Sequence, residues 1–247
     1  MRATVASPRN ANSPQVPGTI PPHDATQYNL SAKTSLLFGG GAVVATILAV
    51  VLSIAAAGDN VLLGDRAFAR FVQDAPQPPA RWLADFGNWI GSGRVGSVIS
   101  AAVIVVLLVA RRPWAAGILL LAALARSLNG PLKELIDSPR PTPELVRVTE
   151  IRDTLGFPSG HAMGSLLGFG ALAIVATRVL PDPQKQRAIQ FTCATLILLV
   201  GFGRIYTGAH WPTDVLGGYL WGAALLWAIV FAVDRTRSAR GGRALAG

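Results

Sequence analysis

From Leu36 to Ala57 the chain runs 22 residues without a charged side chain, enough for one helix to cross the hydrocarbon of a bilayer. Ala55-Ala56-Ala57 resembles a cleavage site, but the apolar core is long for a signal peptide and its polar preface is extended. An uncleaved first helix is therefore expected. Five more apolar runs follow, at 95–110, 113–132, 161–177, 188–203 and 215–233. Several are short, and Arg94, Arg111, Arg112 and Arg178 at their ends can snorkel to lengthen them. Six spans of about 20 residues use roughly 120 positions. A chain of 247 residues that is 51% apolar can supply them. Only 14% of the residues are charged, where a soluble domain carries about a quarter. Disorder, a disulfide scaffold and a collagen-like fibre are excluded, and a soluble enzyme is disfavoured. The expected fold is all-α, an integral membrane bundle of six transmembrane helices.

Three segments complete the layout. Residues 1–35, rich in Pro, Asn, Ser and Thr, read as a flexible tail in which His23 is solvated. Residues 36–233 form the transmembrane domain, and 234–247 a basic tail. Within 58–94, Trp82, Leu83, Phe86, Trp89 and Ile90 share a helical face opposite Arg81 and Asp85. That pattern fits a helix lying along the headgroups after the first span, or equally one packed on the bundle. With the N-terminus inside, the inner segments hold 12 basic and 3 acidic residues and the outer ones 10 of each. The net charge of +9 is thus a matter of topology, and no nucleic-acid signature accompanies it. Cys193, alone in an apolar run, forms no intrachain disulfide and reads as a small buried filler.

Polar residues on one side of this topology form three clusters. They are Lys133 with Arg140-Pro141, Pro158-Ser159-Gly160-His161 at the start of a span, and Arg204 with His210 and Asp214 at the start of another. Polar groups gathered at one face of a membrane bundle mark a site. Lys133, Arg140 and Arg204 supply three cations, two of them planar forks suited to phosphate oxygens. Ser159-Gly160 before an apolar helix offers backbone N–H groups and a helix dipole to an anion. His210 and Asp214, four apart, place a carboxylate beside an imidazole, fixing its tautomer and leaving the other nitrogen free to attack. His161 can protonate a leaving oxygen. Anion cradle, oriented nucleophile and proton donor together describe phosphoryl transfer. Two histidines could also bind zinc, but no Cys or Glu cluster completes a coordination sphere. Arg126 and Asn129 share a face with Lys133 and are candidates for supporting it, or for plain interhelical bonding. Glu134, Asp137, Glu144, Glu150 and Asp153 read as solvated loop charges.

The same clusters resemble those of the type 2 phosphatidic acid phosphatase (PAP2) superfamily. Its Lys, six residues, Arg-Pro pattern is met by Lys133, Arg140 and Pro141, and its Pro-Ser-Gly-His by 158–161. Its Ser-Arg, five residues, His, three residues, Asp pattern is met by Arg204, His210 and Asp214. Gly203 stands where the family has serine, removing a hydroxyl. The resemblance implies that His210 forms a phosphohistidine, Asp214 orients it and His161 is the general acid. Lys133, Arg140, Ser159, Gly160 and Arg204 would bind the phosphoryl group, with no metal and no cofactor. It implies a membrane lipid phosphate phosphatase in the cell membrane, multi-pass, with its site on the extracytoplasmic side and membrane lipids around it. Polyprenyl diphosphate, phosphatidylglycerol phosphate and phosphatidic acid are the candidate substrates. A lipid-linked phosphotransferase and a non-catalytic anion or lipid transporter are the alternatives.

Overall fold

The computed structural model describes residues 25–58, 61–150 and 153–244, with side chains from 37 to 239 within those stretches. The chain divides into Met1–Thr34 and Ser35–Gly247, and the packing and the site below belong to the second unit. His23 and the rest of the expected tail up to residue 24 lie outside the described residues.

Among the described residues the secondary structure is entirely helical. The helices are α1 (Ala25–Ala56), α2 (Asp65–Gln73), α3 (Pro79–Ile90), α4 (Gly93–Val109), α5 (Pro113–Ala125), α6 (Asn129–Ile136), α7 (Gly160–Val179), α8 (Pro183–Tyr206) and α9 (Pro212–Ala244). Among the described residues five stretches are long and apolar enough to cross a membrane, and a sixth appears if α3 and α4, bent by 58° at their junction, are taken as one span. This is the multi-pass membrane fold expected from the charge-free runs. α4 alone has 17 residues and reaches spanning length only with α3.

Between helices in lipid there is little hydrophobic drive, so close packing of small residues has to hold the bundle. α3 illustrates this. Ala80, Ala84 and Gly87 are buried, while Trp82, Leu83, Phe86 and Trp89 on its outer side are 44–68% exposed. The aromatic face therefore points away from the protein, and α3 packs on α8 through its small residues. Ile90, grouped with the aromatics by helical position, is buried at the bend instead. α7 runs at the centre, its Met163 and Leu167 fully buried among Ile118 and Leu119 of α5 and Leu226 and Val230 of α9. Cys193 is buried beside Phe169.

Helix ends differ from the expected limits for identifiable reasons. α1 begins at Ala25, before the expected start of the span. α9 continues to Ala244, through the segment expected to be a basic tail. Arg178 does not simply snorkel from the end of α7. It pairs with Asp234 through two bonds of 2.8 and 3.1 Å. Arg237 lies over the Trp114 ring and Arg235 over Phe231, at 4.2 and 5.1 Å. These contacts give the basic residues partners along a helix, and nothing from Asp234 to Ala244 is a proline to stop it. The expected span 113–132 breaks into α5, a 3₁₀ turn at Arg126–Leu128 and α6. The break lets α6 project Asn129 and Lys133 toward the loop that precedes α7.

Candidate active site

Three connections meet at one end of the bundle: the loop from α6 to α7, the first turn of α7, and the turn between α8 and α9. α6 stops where Asp137 adopts a left-handed conformation, φ 51°. The chain then turns back, and Lys133 donates to the carbonyls of Leu155 and Gly156, the latter at 2.8 Å. Lys133 thus ties α6 to the stretch leading into α7. Asn129 does the same one turn earlier, its Nδ2 donating to the Pro158 carbonyl at 3.1 Å. A Cβ at Gly160 would stand 2.7 Å from Asn129 Oδ1, so any larger residue there would push the Asn129 amide aside. Ser159 occupies the N-cap of α7 with its backbone N–H on the Asp214 carbonyl at 2.9 Å. Its hydroxyl is fully buried and has no hydrogen-bond partner among the described residues. Such a group is costly unless an acceptor or donor reaches it.

The α8–α9 turn carries the histidine. His210 and Asp214 are 2% and 1% exposed, so their pairing is not screened by water. Asp214 Oδ2 lies 3.1 Å from His210 Nδ1 and accepts the Trp211 backbone N–H at 3.0 Å. As a carboxylate Asp214 only accepts there, which puts the proton on Nδ1 and leaves Nε2 to present its lone pair. That lone pair faces the Arg140 guanidinium, with Nη1 at 3.2 Å. Arg140 in turn spans two loops: Nη1 also donates to the Ala209 carbonyl at 2.6 Å, Nε to the Thr154 carbonyl at 2.6 Å and Nη2 to Thr154 Oγ1 at 2.9 Å.

Burial first, then the positive charges of Arg140, Arg204, Lys133 and His161, hold the His210 imidazole well below its ordinary value of 6.5. Groups separated by up to 77 positions in the chain (Lys133 and His210) therefore act on one ring. Arg204 is 1% exposed, and its Nη1 donates to Glu150 Oε2 at 2.9 Å and Asn88 Oδ1 at 3.0 Å. Glu150 is thus a partner of the innermost arginine rather than a solvated loop charge. Beside these groups opens a cavity of about 760 Å³ lined by Lys133, Arg140, Glu150, Thr154 and Gly208. All eight residues singled out from the sequence lie in these three connections or in the helix turns that flank them. Thr154, Asn88 and Glu150 join them with no local sequence signal beyond polarity. Among the described residues no group of three His, Cys, Asp or Glu side chains is arranged to hold a metal ion.

Gly203 has a steric reason. A Cβ there would stand 2.6 Å from the Ala84 carbonyl and 3.1 Å from Asn88 Oδ1. α3 packs so closely on α8 that a serine has no room unless backbone moves. Gly203→Ser is expected to destabilise the protein by about 1–3 kcal/mol, as overpacking does. Thermal unfolding in detergent should show a lowered midpoint, and Gly203→Ala should behave alike. A midpoint equal to wild type in both would remove the steric account.

A family model described as the PAP2 superfamily matches residues 114–238. The chain belongs to that superfamily. Among relatives, phosphatidylglycerophosphatase B of Bacillus subtilis (strain 168) is 29% identical over 187 residues, 73% of this chain and 88% of that protein. Among solved structures, a transmembrane PAP2-type phosphatidylglycerolphosphate phosphatase from Bacillus subtilis superimposes with a TM-score of 0.65 at 23% identity, covering 76% of this chain and 94% of that one. Aquifex aeolicus LpxE gives 0.52 at 24% identity over 66% of this chain and 93% of that one. At these identities the structural matches establish a shared PAP2 membrane fold. The family model takes in α5 through most of α9, and hence every residue of the three motifs.

Proposed function

We propose that this PAP2 member is a membrane lipid phosphate phosphatase that works through a phosphohistidine. One observation carries the reading: His210 is held by Asp214 at Nδ1 while its Nε2 lone pair faces a fork of Arg140 at 3.2 Å. A phosphoryl group entering between them meets a nucleophile on one side and N–H donors on its oxygens. Lys133, Arg140 and Arg204 supply the positive charge, and the buried Ser159 hydroxyl and the Gly160 N–H supply further donors. Nε2 attacks phosphorus, and the bond from phosphorus to the lipid oxygen breaks. His161 gives that oxygen its proton and later takes one from the water that releases phosphate. Asp214 offsets the positive charge that forms on the ring.

The site lies on the extracytoplasmic face of the cell membrane, in keeping with the excess of basic over acidic residues on the opposite loops. Named relatives include a phosphatidylglycerophosphatase, a lipid A 1-phosphatase and an undecaprenyl-diphosphatase. Phosphatidylglycerol phosphate is the first substrate to test, because the first of these matches over most of its length. Purified protein is to be given phosphatidylglycerol phosphate, phosphatidic acid and polyprenyl diphosphate, with lipid products read by mass spectrometry and phosphate by release. Dephosphorylated lipid and free phosphate are expected, inhibited by vanadate and indifferent to EDTA. A phosphorylated acceptor in place of free phosphate would make it a phosphotransferase. Lipid moved but chemically unchanged would make it a transporter. Activity lost with EDTA and restored by zinc would sink the mechanism.

A further inference from the structure

The nine-residue helix α2 lies across the outside of the α8–α9 turn and is bonded to both sides of it. At its start, Asp65 is 3% exposed although it carries a carboxylate. Its Oδ1 accepts the Thr213 backbone N–H at 2.9 Å and its Oδ2 the Thr213 hydroxyl at 2.6 Å. Thr213 sits in the first turn of α9, where backbone N–H groups have no partner within the helix. It also separates Pro212 from Asp214. Asp65 therefore caps the helix that carries Asp214, from 148 positions away in the chain.

About 12 Å along α2, Gln73 holds the other side. Its Nε2 donates to the carbonyls of Arg147, Tyr206 and Ile205 at 2.7, 3.3 and 3.4 Å, and its Oε1 accepts the Arg147 N–H at 3.0 Å. Ile205 and Tyr206 end α8. Between the two polar ends, Ala69 and Val72 pack with Trp211, Ile205 and Val215. The turn that presents His210 is thus bracketed by one short helix. An ordinary headgroup-level helix would not require buried polar residues at both ends of its inner face. Burial raises the pKa of Asp65 while its bonds to Thr213 lower it. A carboxylate kept there is offset by specific bonds and not by solvent.

We infer that Asp65 is a positioning residue for the nucleophile: by fixing Thr213 it fixes the first turn of α9, where Asp214 orients His210. It touches neither substrate nor reacting atoms. Removing it lets Asp214 and the His210 ring drift by fractions of an ångström to an ångström, enough to lower the chemical step and not enough to disturb phosphate binding by the three cations. The inference rests on His210 being the nucleophile.

The test is single-turnover formation of acid-labile phosphohistidine, with steady-state kinetics, on full-length protein. Asp65→Ala is expected to lower the phosphorylation rate and kcat by about 100-fold, with KM within about threefold of wild type. Asp65→Asn keeps an acceptor for the Thr213 N–H and can donate to its hydroxyl, so it should restore most of the lost rate. Thr213→Val should cost about fivefold, one hydrogen bond, where Thr213→Ser costs nothing measurable. Asp65→Ala with wild-type kcat overturns the inference, as does Asp65→Asn as slow as Asp65→Ala, or a rise in KM with kcat unchanged. Should Asp65→Ala fail to fold, the Thr213 pair decides, and Val as active as Ser overturns it. Wild type that forms no phosphohistidine fails the proposed function instead. Wild type that forms it, with Asp65→Ala equally fast, fails only this inference.

Discussion

His210→Gln is expected to lower turnover of any lipid phosphate substrate by ~10⁴-fold or more, since loss of a nucleophile leaves only the binding site to act. Glutamine keeps a polar side chain of similar reach but presents no lone pair that can form a stable bond to phosphorus. Wild type quenched in alkaline detergent should carry labelled, acid-labile phosphate on histidine, and the variant none. Substrate binding should survive, because Arg140, Lys133 and Arg204 remain. The wild-type pH profile is a companion measurement. The attacking form of His210 is neutral, and burial with the surrounding positive groups pushes its basicity down. The loss of kcat/KM caused by protonating this ring is therefore expected below pH 6.5, where an unperturbed imidazole would already have lost half its lone pairs. A His210→Gln protein with more than a hundredth of wild-type turnover would refute the nucleophile.

Arg140→Lys is expected to cost about 10²–10³-fold in kcat, the scale of losing one preorganised donor to a developing anion. Charge is conserved, so any loss reports geometry. The guanidinium makes four contacts from three nitrogens, binding Thr154 on one loop, Ala209 on another and facing His210 Nε2. An ammonium is a point charge and cannot satisfy both loops while keeping a donor on the phosphoryl group. Arg140→Ala should add a rise in the inhibition constant for inorganic phosphate. Arg140→Lys with wild-type kinetics would take Arg140 out of the site.

The parts of this molecule legible from sequence share one property: their information is local. Charge-free runs announce spans, because each residue in lipid is judged by its own polarity. The three motifs announce the cluster, because cations, a small residue before a helix and a His–Asp pair four apart each have chemical meaning within a few positions. What escaped is pairing at a distance. Nothing near Asp65 in the chain indicates that its partner is Thr213, or that Gln73 answers to the end of α8. Glu150 reads as one more loop acid until Arg204 is placed beside it. The α3 stripe escaped for another reason. In water its aromatics would turn inward, but lipid accepts them as readily as a core does, so the small residues mark the buried side instead. The helical extent of α9 was also hidden, because a basic stretch looks like a tail until Asp234, Phe231 and Trp114 are seen to receive Arg178, Arg235 and Arg237.

Arg204 already has company. Its Nη1 is divided between Glu150 and Asn88, so an incoming phosphoryl oxygen gains that donor only by displacing one of them. At that nitrogen, seating an anion is then an exchange of acceptors, and its free energy is the difference between two similar bonds. Under the proposed function, three cations would then hold phosphate less tightly than their number suggests. For a catalyst whose last act is to let inorganic phosphate go, a resident competitor for the deepest arginine speeds departure.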